Sequence, residues 1–203
     1  MITIVDYGMG NLNSVKNMLK YLGYDSIVTG EQEIIRKADK LILPGVGNFG
    51  MAMDVIRKSD FLDTLNHKVL EEKTPILGIC LGMQLLLEHS EEGDCDGLGW
   101  IPGEVKKFEF PDKPQLKIPH MGWDYIEKCK ESPLFDGSAV GERYYFVHSY
   151  YVRCRNREDA TATTEYGIVF DSVVERDNIM GTQFHPEKSH KFGMDILRNF
   201  AKM

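Results

Sequence analysis

The sequence lacks several features that define other classes of protein. Its 203 residues contain no Pro/Ser-rich linker, low-complexity tract or internal repeat, so we expect residues 1–203 to form a single domain. No signal peptide is visible, and no uncharged stretch of about 18 apolar residues suggests a membrane span. Hydrophobic residues at 42% and charged residues at 27% are typical of a folded globular protein.

Cysteine pairs and basic clusters are also missing. The cysteines at positions 80, 95, 129 and 154 show no C-x-x-C spacing, so neither a disulfide framework nor a metal site is expected, and no other cofactor is indicated. This pattern fits a reducing cytoplasm. The formal net charge of −7 argues against nucleic-acid binding, which needs clustered Lys and Arg.

Short apolar strands alternate with helical patterns in the first half of the chain. Residues 1–5 are rich in β-branched side chains and lead through a glycine turn into apolar positions at helical spacing. Residues 40–43 and 75–79 are similar strands, each followed by a helical pattern, which after the third strand runs from Met83 to Glu88. Three βα units in succession predict a parallel sheet covered by helices.

The second half of the chain has a different character. From about Gly97, prolines separate short β-like segments, which predicts antiparallel or mixed sheet. A last strand at residues 179–184 precedes a final helix through residues 194–200. We therefore expect a three-layer α/β sandwich of the flavodoxin-like type, with a mainly parallel central sheet, flanking helices and an active site at the carboxyl ends of the strands.

Residues 78–82 (GICLG) have the form of a nucleophile elbow, G-x-C-x-G, between a strand and a helix. Flanking glycines remove side chains from a sharp turn, and the helix N-terminus lowers the pKa of a thiol and can stabilise an oxyanion. A buried structural cysteine in a glycine turn is the alternative interpretation.

A second motif near the end of the chain favours catalysis. In residues 182–187 (TQFHPE), His185 can take and return a proton, and Glu187 can orient its imidazole ring. A lone His-x-Glu pair is common on surfaces. Directly after a buried strand, and about 100 residues beyond an elbow, the pair indicates a Cys-His-Glu catalytic site.

Together, the two motifs resemble the class I (triad-type) glutamine amidotransferase family over essentially the whole chain. Within that family, the chain resembles the glutaminase subunits of imidazole glycerol phosphate synthases. The motifs that carry this second resemblance are residues 6–11 (DYGMGN), 44–47 (PGVG), 119–123 (PHMGW), 145–150 (YFVHSY) and 185–189 (HPEKS).

The resemblance implies a role for individual residues. Cys80 would be the nucleophile, His185 the general base and acid, and Glu187 the residue that orients the imidazole. The N–H groups of Val46 and Leu81 would form the oxyanion hole. Glutamine would be held by Gly47, Gln84 and Glu92, together with backbone groups of His148, Ser149 and Tyr150. The spacing of His120 and His148 gives no pairing, so we expect both to be structural or interfacial rather than second bases.

The resemblance also implies a partner. No recognisable second domain is present for ammonia to act upon, so the acceptor enzyme would be a separate (β/α)₈-barrel cyclase of the HisF type, forming a heterodimer that docks near Asn11, Trp123 and Lys188. The joint products would be imidazole glycerol phosphate and an aminoimidazole carboxamide ribotide, in histidine biosynthesis.

Three other functions are considered. Residues 186–193 (PEKSHKFG) resemble the tail of related glutaminases that supply ammonia for amidation of a surface sugar such as lipopolysaccharide, and active-site residues cannot separate this pathway from the first. A cysteine peptidase of the same fold is disfavoured by Gln84 and by residues 44–47. A non-catalytic binding module is disfavoured because Cys80, His185 and Glu187 are all present.

Overall fold

A computed structural model describes residues 1–138 and 141–203. Its strands are β1 (Ile2–Val5), β2 (Ser26–Thr29), β3 (Lys40–Gly45), β4 (Ile76–Cys80), β5 (Leu87–Ser90), β6 (Cys95–Asp96), β7 (Ile101–Lys107), β8 (His120–Tyr125), β9 (Glu127–Lys128), β10 (Arg143–His148), β11 (Tyr150–Cys154), β12 (Ala160–Tyr166), β13 (Ile168–Arg176) and β14 (Ile179–Thr182).

The α-helices are α1 (Leu12–Tyr21), α2 (Gln32–Arg36), α3 (Phe49–Arg57), α4 (Leu62–Asn66), α5 (Leu81–Gln84) and α6 (His190–Lys202). A π-helical turn, His67–Glu71, continues α4, and 3₁₀ turns occupy Pro133–Phe135, Arg157–Asp159 and Pro186–Lys188.

The large sheet has a parallel half and a mostly antiparallel half. Its order begins β2-β1-β3-β4-β14, and all of these neighbours pair in parallel. The order continues through β13, β11 and β7 with antiparallel pairing, while β8 and β10 form a separate two-stranded antiparallel sheet. The change from parallel to antiparallel pairing agrees with the change in sequence character near Gly97.

Alternate residues of the parallel strands pack in two different apolar clusters, because successive side chains of a strand point to opposite faces of the sheet. Leu41 and Leu43 of β3 pack in one cluster with Phe49 of α3, whereas Ile42 packs in the other with Val15 of α1 and Phe200 of α6. Helices therefore cover both faces of this half of the sheet. The predicted three-layer α/β fold is confirmed.

The helix predicted from Met83 to Glu88 is wrong in its second half. The α-helix ends at Gln84, and Leu87–Ser90 form strand β5, which pairs in parallel with β7. Leu85, Leu86 and Leu87 are all fully buried, so burial on every side decides the conformation over their helix propensity. The strand Ser26–Thr29 was not predicted at all.

No helix in residues 1–138 and 141–203 is both long enough and apolar enough to cross a membrane.

Candidate functional site

Cys80 stands at a sharp turn from strand to helix. It is the last residue of β4, and its φ of 56° and ψ of −110° place it in a backbone conformation that is strained for a residue with a side chain. The elbow requires both flanking glycines. A Cβ on Gly78 would lie 2.6 Å from the carbonyl oxygen of Gly82, and a Cβ on Gly82 would lie 1.7 Å from that of Leu43.

His185 and Glu187 follow strand β14, the parallel neighbour of β4. Nδ1 of His185 lies 2.8 Å from Oε1 of Glu187, and both side chains are almost fully buried, at 2% and 1% exposure. Adjacent parallel strands end at the same edge of the sheet, which brings this pair to the side of Cys80. Nε2 of His185 has no hydrogen-bond partner among the described residues, so it is not committed elsewhere.

The electrostatic environment favours a protonated His185. Burial by itself lowers the imidazole pKa, but the contacts with Cys80 and Glu187 outweigh burial and raise the pKa of His185 to about 10. A carboxylate on one side and a thiol that can ionise on the other are the environment in which an imidazole accepts the thiol proton.

A cleft of about 310 Å³ opens above the elbow. Ten of the residues singled out in the sequence as catalytic, oxyanion-hole or substrate-binding line it, and so does one predicted docking residue, Lys188. The ten are Cys80, His185, Val46, Leu81, Gly47, Gln84, Glu92, His148, Ser149 and Tyr150. Only Glu187 of the catalytic set is not part of the wall, because it lies buried behind His185. The cleft is large enough for a free amino acid.

Two polar side chains in the cleft are held in fixed orientations. Oε2 of Glu92 accepts a hydrogen bond of 2.8 Å from the backbone N–H of Phe49, at the first turn of α3. The amide nitrogen of Gln84 donates to the carbonyl of Tyr150 at 3.1 Å and to Oε1 of Gln183 at 3.0 Å. Neither side chain must order itself when a ligand enters the cleft.

Of the three residues predicted for docking, Lys188 lines the cleft, whereas Asn11 and Trp123 do not. Lys188 is exposed, with its Nζ 5.9 Å from the centre of the Tyr145 ring. Trp123, 41% exposed, stacks on His190 with a ring separation of 5.2 Å. Asn11 precedes α1, the helix that contacts the turn Pro186–Lys188.

The family model described as "Glutamine amidotransferase class-I" matches residues 3–203. The chain belongs to this family. As a glutamine amidotransferase it has glutaminase activity, the release of ammonia from glutamine.

Full-length relatives support the assignment. The chain is 52% identical to "Imidazole glycerol phosphate synthase subunit HisH 2" of Methanococcus maripaludis over 100% of this chain and 99% of the relative. It is 45% identical to the subunit of the same name in Pseudomonas aeruginosa over 100% of both chains. A "HisH" subunit of Bacillus cereus is 49% identical over 98% of this chain and 93% of the relative.

Solved structures share the fold at low sequence identity. "Structure of PurLQS from Thermotoga maritima" contains a chain that superposes with a TM-score of 0.77 at 17% identity, covering 99% of this chain and 97% of that one. "Crystal structure of glutamine amidotransferase" gives a TM-score of 0.76 at 18% identity, with both chains covered completely.

Two side chains of this glutamine amidotransferase approach Cys80 although no pattern in the sequence predicts a role for them. Nε2 of Gln183 lies 3.7 Å from Sγ of Cys80. The buried hydroxyl of Tyr7 donates to the carbonyl of Pro44 at 2.8 Å, and its pKa is raised by burial and by Cys80. Gln183 lies within the motif of residues 182–187, and Tyr7 lies within the motif of residues 6–11. Both segments are therefore among those whose sequence pattern indicates the active site.

The expectation that His120 and His148 are unpaired is wrong. The two residues face each other across β8 and β10, with Nδ1 of His120 3.0 Å from Nε2 of His148. The two residues are 28 positions apart in the chain, and only the register of β8 against β10 brings them together.

Proposed function

We propose that this chain hydrolyses glutamine through a thioester on Cys80 and delivers the ammonia to a separate synthase subunit. The observation that carries the proposal is the arrangement in the cleft, where a strained cysteine, a buried imidazole of raised pKa and a buried carboxylate follow two adjacent strands. We further propose that residues 1–203 act as one glutaminase domain.

The first half of the reaction forms the thioester. His185 takes the thiol proton, and the sulfur of Cys80 attacks the carboxamide carbon of glutamine. The carbonyl oxygen becomes an oxyanion, which the N–H groups of Val46 and Leu81 stabilise. As the tetrahedral intermediate collapses, the C–N bond breaks and His185 returns its proton to the leaving nitrogen, so ammonia departs. Glu187 holds the imidazole in the orientation that this transfer needs.

The second half releases glutamate. A water molecule gives a proton to His185 and attacks the thioester carbon through the same oxyanion hole. The C–S bond then breaks, and the sulfur leaves with the proton that His185 held. Glutamate and free Cys80 result, and no cofactor is required.

Several residues are proposed to hold the substrate. The carboxylate of Glu92 suits the α-ammonium group of glutamine, and its second oxygen stays available while Oε2 is bound by Phe49. Gly47, Gln84 and the backbone of residues 148–150 complete the pocket. Because a glutamine residue within a peptide has no α-ammonium group, Glu92 should favour free glutamine.

The proposed acceptor is a (β/α)₈-barrel cyclase of the HisF type, in histidine biosynthesis. The full-length similarity to subunits named HisH supports this choice. We propose that the two subunits form a heterodimer through the face that includes Asn11, Trp123 and Lys188. A cytoplasmic location is proposed because Cys80 must remain a reduced thiol.

A paralogous glutaminase that serves a surface-sugar amidotransferase is the second candidate. Two of the relatives carry a number in their names, as expected where an organism holds more than one such subunit. Complementation separates the candidates. A histidine auxotroph that lacks its own glutaminase subunit should grow when it receives this chain together with a HisF-type barrel. Failure to grow, combined with glutaminase activation by a sugar amidotransferase, would support the second candidate.

A further inference from the structure

One face of the β8–β10 sheet carries a series of polar contacts, and the proposed reaction gives His120 and Asp124 no role. The Tyr150 carbonyl oxygen lies 2.7 Å from Nδ1 of His148. Nε2 of His148 lies 3.0 Å from Nδ1 of His120, and Nε2 of His120 lies 3.3 Å from Oδ2 of Asp124. Both imidazole rings are buried, whereas Asp124 is partly exposed.

The first atom in this series of contacts, the Tyr150 carbonyl oxygen, belongs to a residue that lines the cleft. The Tyr150 carbonyl also accepts a hydrogen bond from the amide nitrogen of Gln84, and that nitrogen reaches Oε1 of Gln183 as well. Because a carbonyl oxygen can only accept, Gln84 must present its NH₂ group, and Gln183 must present its oxygen to Gln84. The NH₂ group of Gln183 is then left to face Sγ of Cys80 at 3.7 Å.

The direction of hydrogen-bond donation between the two histidines also follows from the fact that a carbonyl oxygen can only accept. A contact of 2.7 Å to the Tyr150 carbonyl requires a proton on Nδ1 of His148. Nε2 of a neutral His148 must then accept, so Nδ1 of His120 donates. The opposite direction would give Asp124 a proton from His120, but it would place the lone pair of Nδ1 of His148 against the carbonyl.

The surroundings keep both rings neutral. Burial lowers the pKa of His148 to about 3, and it lowers the pKa of His120 below its ordinary value although Asp124 opposes the shift. The ionisable groups that act on His148 are His120 and His185, and the ionisable group that acts on His120 is Asp124. The rings of Phe108, Phe146, Tyr166 and Phe170 also pack against the pair.

We propose that His120 is a positioning residue for the glutamine pocket. By donating from Nδ1, it holds His148 as the tautomer that secures the Tyr150 carbonyl, and through that carbonyl it fixes Gln84. The carboxylate of Asp124 favours the other tautomers, in which Nε2 of each ring carries the proton. The geometry of the pocket therefore depends on whether Asp124 or the Tyr150 carbonyl receives a hydrogen bond from the pair. This inference rests on the proposed glutaminase function of the cleft.

Kinetics of two His120 variants test the role. His120→Phe fills the same stacked space without a donor, and we expect KM for glutamine to rise about tenfold while kcat changes less, as for the loss of a buried hydrogen bond. His120→Asn places an amide nitrogen near the position of Nδ1 and should recover most of the loss. Tyr166→Phe is the matched control, because it keeps the ring stacked on His120 and removes only a hydroxyl that donates to Lys117.

Nitrogen NMR of the histidine rings tests the tautomer directly, on the full chain labelled with ¹⁵N-histidine. In the wild type we expect Nδ1 of His148 to be protonated and Nε2 bare, and the same in Asp124→Asn, whose amide can donate to Nε2 of His120. His120→Phe should increase the share of the Nε2–H tautomer of His148.

A protonated Nε2 on His148 in the wild type would overturn the inference, as would equal KM values for His120→Phe and His120→Asn. If His120→Phe fails to fold, the spectra of the wild type and of Asp124→Asn still show which nitrogen of His148 carries the proton. A wild type without glutaminase activity would instead contradict the proposed function, and the ring spectra would remain interpretable.

Discussion

Cys80 has a backbone conformation and a contact with His185 that a purely structural cysteine does not require. Cys80 adopts a left-handed conformation that costs about 1–3 kcal/mol, and such strain persists where the surrounding fold over-determines it. Cys154, by contrast, is simply buried, and burial raises the pKa of its thiol. Of these two buried cysteines, only Cys80 contacts an imidazole whose pKa it helps to raise.

Replacing Cys80, the proposed nucleophile, should abolish glutamine hydrolysis. We expect Cys80→Ala to reduce glutamine-dependent ammonia release by several orders of magnitude, because no other thiol among the described residues lines the cleft. Cys95→Ala is the control and should keep wild-type activity. The Cys80 variant should still support the acceptor reaction when ammonium salts are added. Residual hydrolysis above about a tenth of wild type would rule out the nucleophile assignment, because losing a covalent nucleophile costs far more.

The raised pKa of His185 predicts a specific dependence of stability on pH. A group whose pKa is higher in the folded state contributes stability fully below its unfolded pKa, and this contribution is lost as pH rises through the folded pKa. For His185 the loss should fall between the ordinary value of 6.5 and about 10. Glu187→Gln removes one cause of the shift, so its free energy of unfolding should fall less than that of the wild type over this window. Urea unfolding at a series of pH values measures the difference, and parallel curves for the two proteins would contradict the explanation.

At the scale of elements, the elbow between β4 and α5 depends on close backbone approach. Gly82→Ala would place a methyl group 1.7 Å from the carbonyl oxygen of Leu43, and backbone must move to accommodate it. We expect a loss of several kcal/mol in unfolding free energy or failure to fold. Gly50→Ala is the matched control within α3, where the nearest atom would lie at 3.4 Å, and it should be neutral or slightly stabilising. Thermal unfolding of both variants provides the measurement.

The backbone is constrained before Val46, at Gly45, and freer to rotate after it, at Gly47. A Cβ on Gly45 would lie 2.4 Å from the Tyr7 hydroxyl, so Gly45 is enclosed and cannot reorient freely. Gly47 has a φ of 107°, a conformation that favours glycine, and the exposed Val46 precedes it. A change in the direction of the Val46 amide is therefore expected to be absorbed mainly at Gly47.

Removing the Val46 amide should weaken the oxyanion hole. Val46→Pro lacks the N–H group, and the loss of one donor costs about 10²–10³ in turnover. Val46→Ala keeps the N–H and serves as the control. Glutaminase assays with the partner bound would compare the two variants, and a Val46→Pro protein that remained fully activatable would exclude this amide from the reaction.

At the scale of the whole molecule, a separate glutaminase subunit is useful only if hydrolysis is coupled to a partner that consumes the ammonia. We expect the isolated chain to be a poor glutaminase and a bound, substrate-loaded partner to raise its turnover by about 10²–10³, the worth of one oxyanion-hole donor. Docking beside Asn11 and Lys188 would favour the productive direction of the Val46 amide, a two-state change of a few kcal/mol. Equal turnover of the isolated chain and of the loaded complex would contradict this coupling.

The sequence by itself determined strands β1, β3, β4 and β14 of the parallel half of the sheet, and the location of the cleft. Apolar strands that end in glycine turns can be recognised locally. Because the carboxyl ends of parallel strands meet at one edge, the sequence alone predicts that Cys80 and His185 lie close together. The elbow glycines and the His-x-Glu spacing are likewise local patterns, and they identified three residues that the structure brings to one site.

Only the tertiary structure decided the features that depend on contacts between distant segments. Leu87 belongs to a strand because β7 and the surrounding core leave no solvent face for a helix, and no window of the sequence contains that information. The pairing of His120 with His148 depends on the register of β8 against β10, and the approach of Gln183 to Cys80 depends on the side-chain contacts within the cleft. Local periodicity specifies elements and their exposed ends, whereas the partner of each buried polar atom is set by the packed fold as a whole.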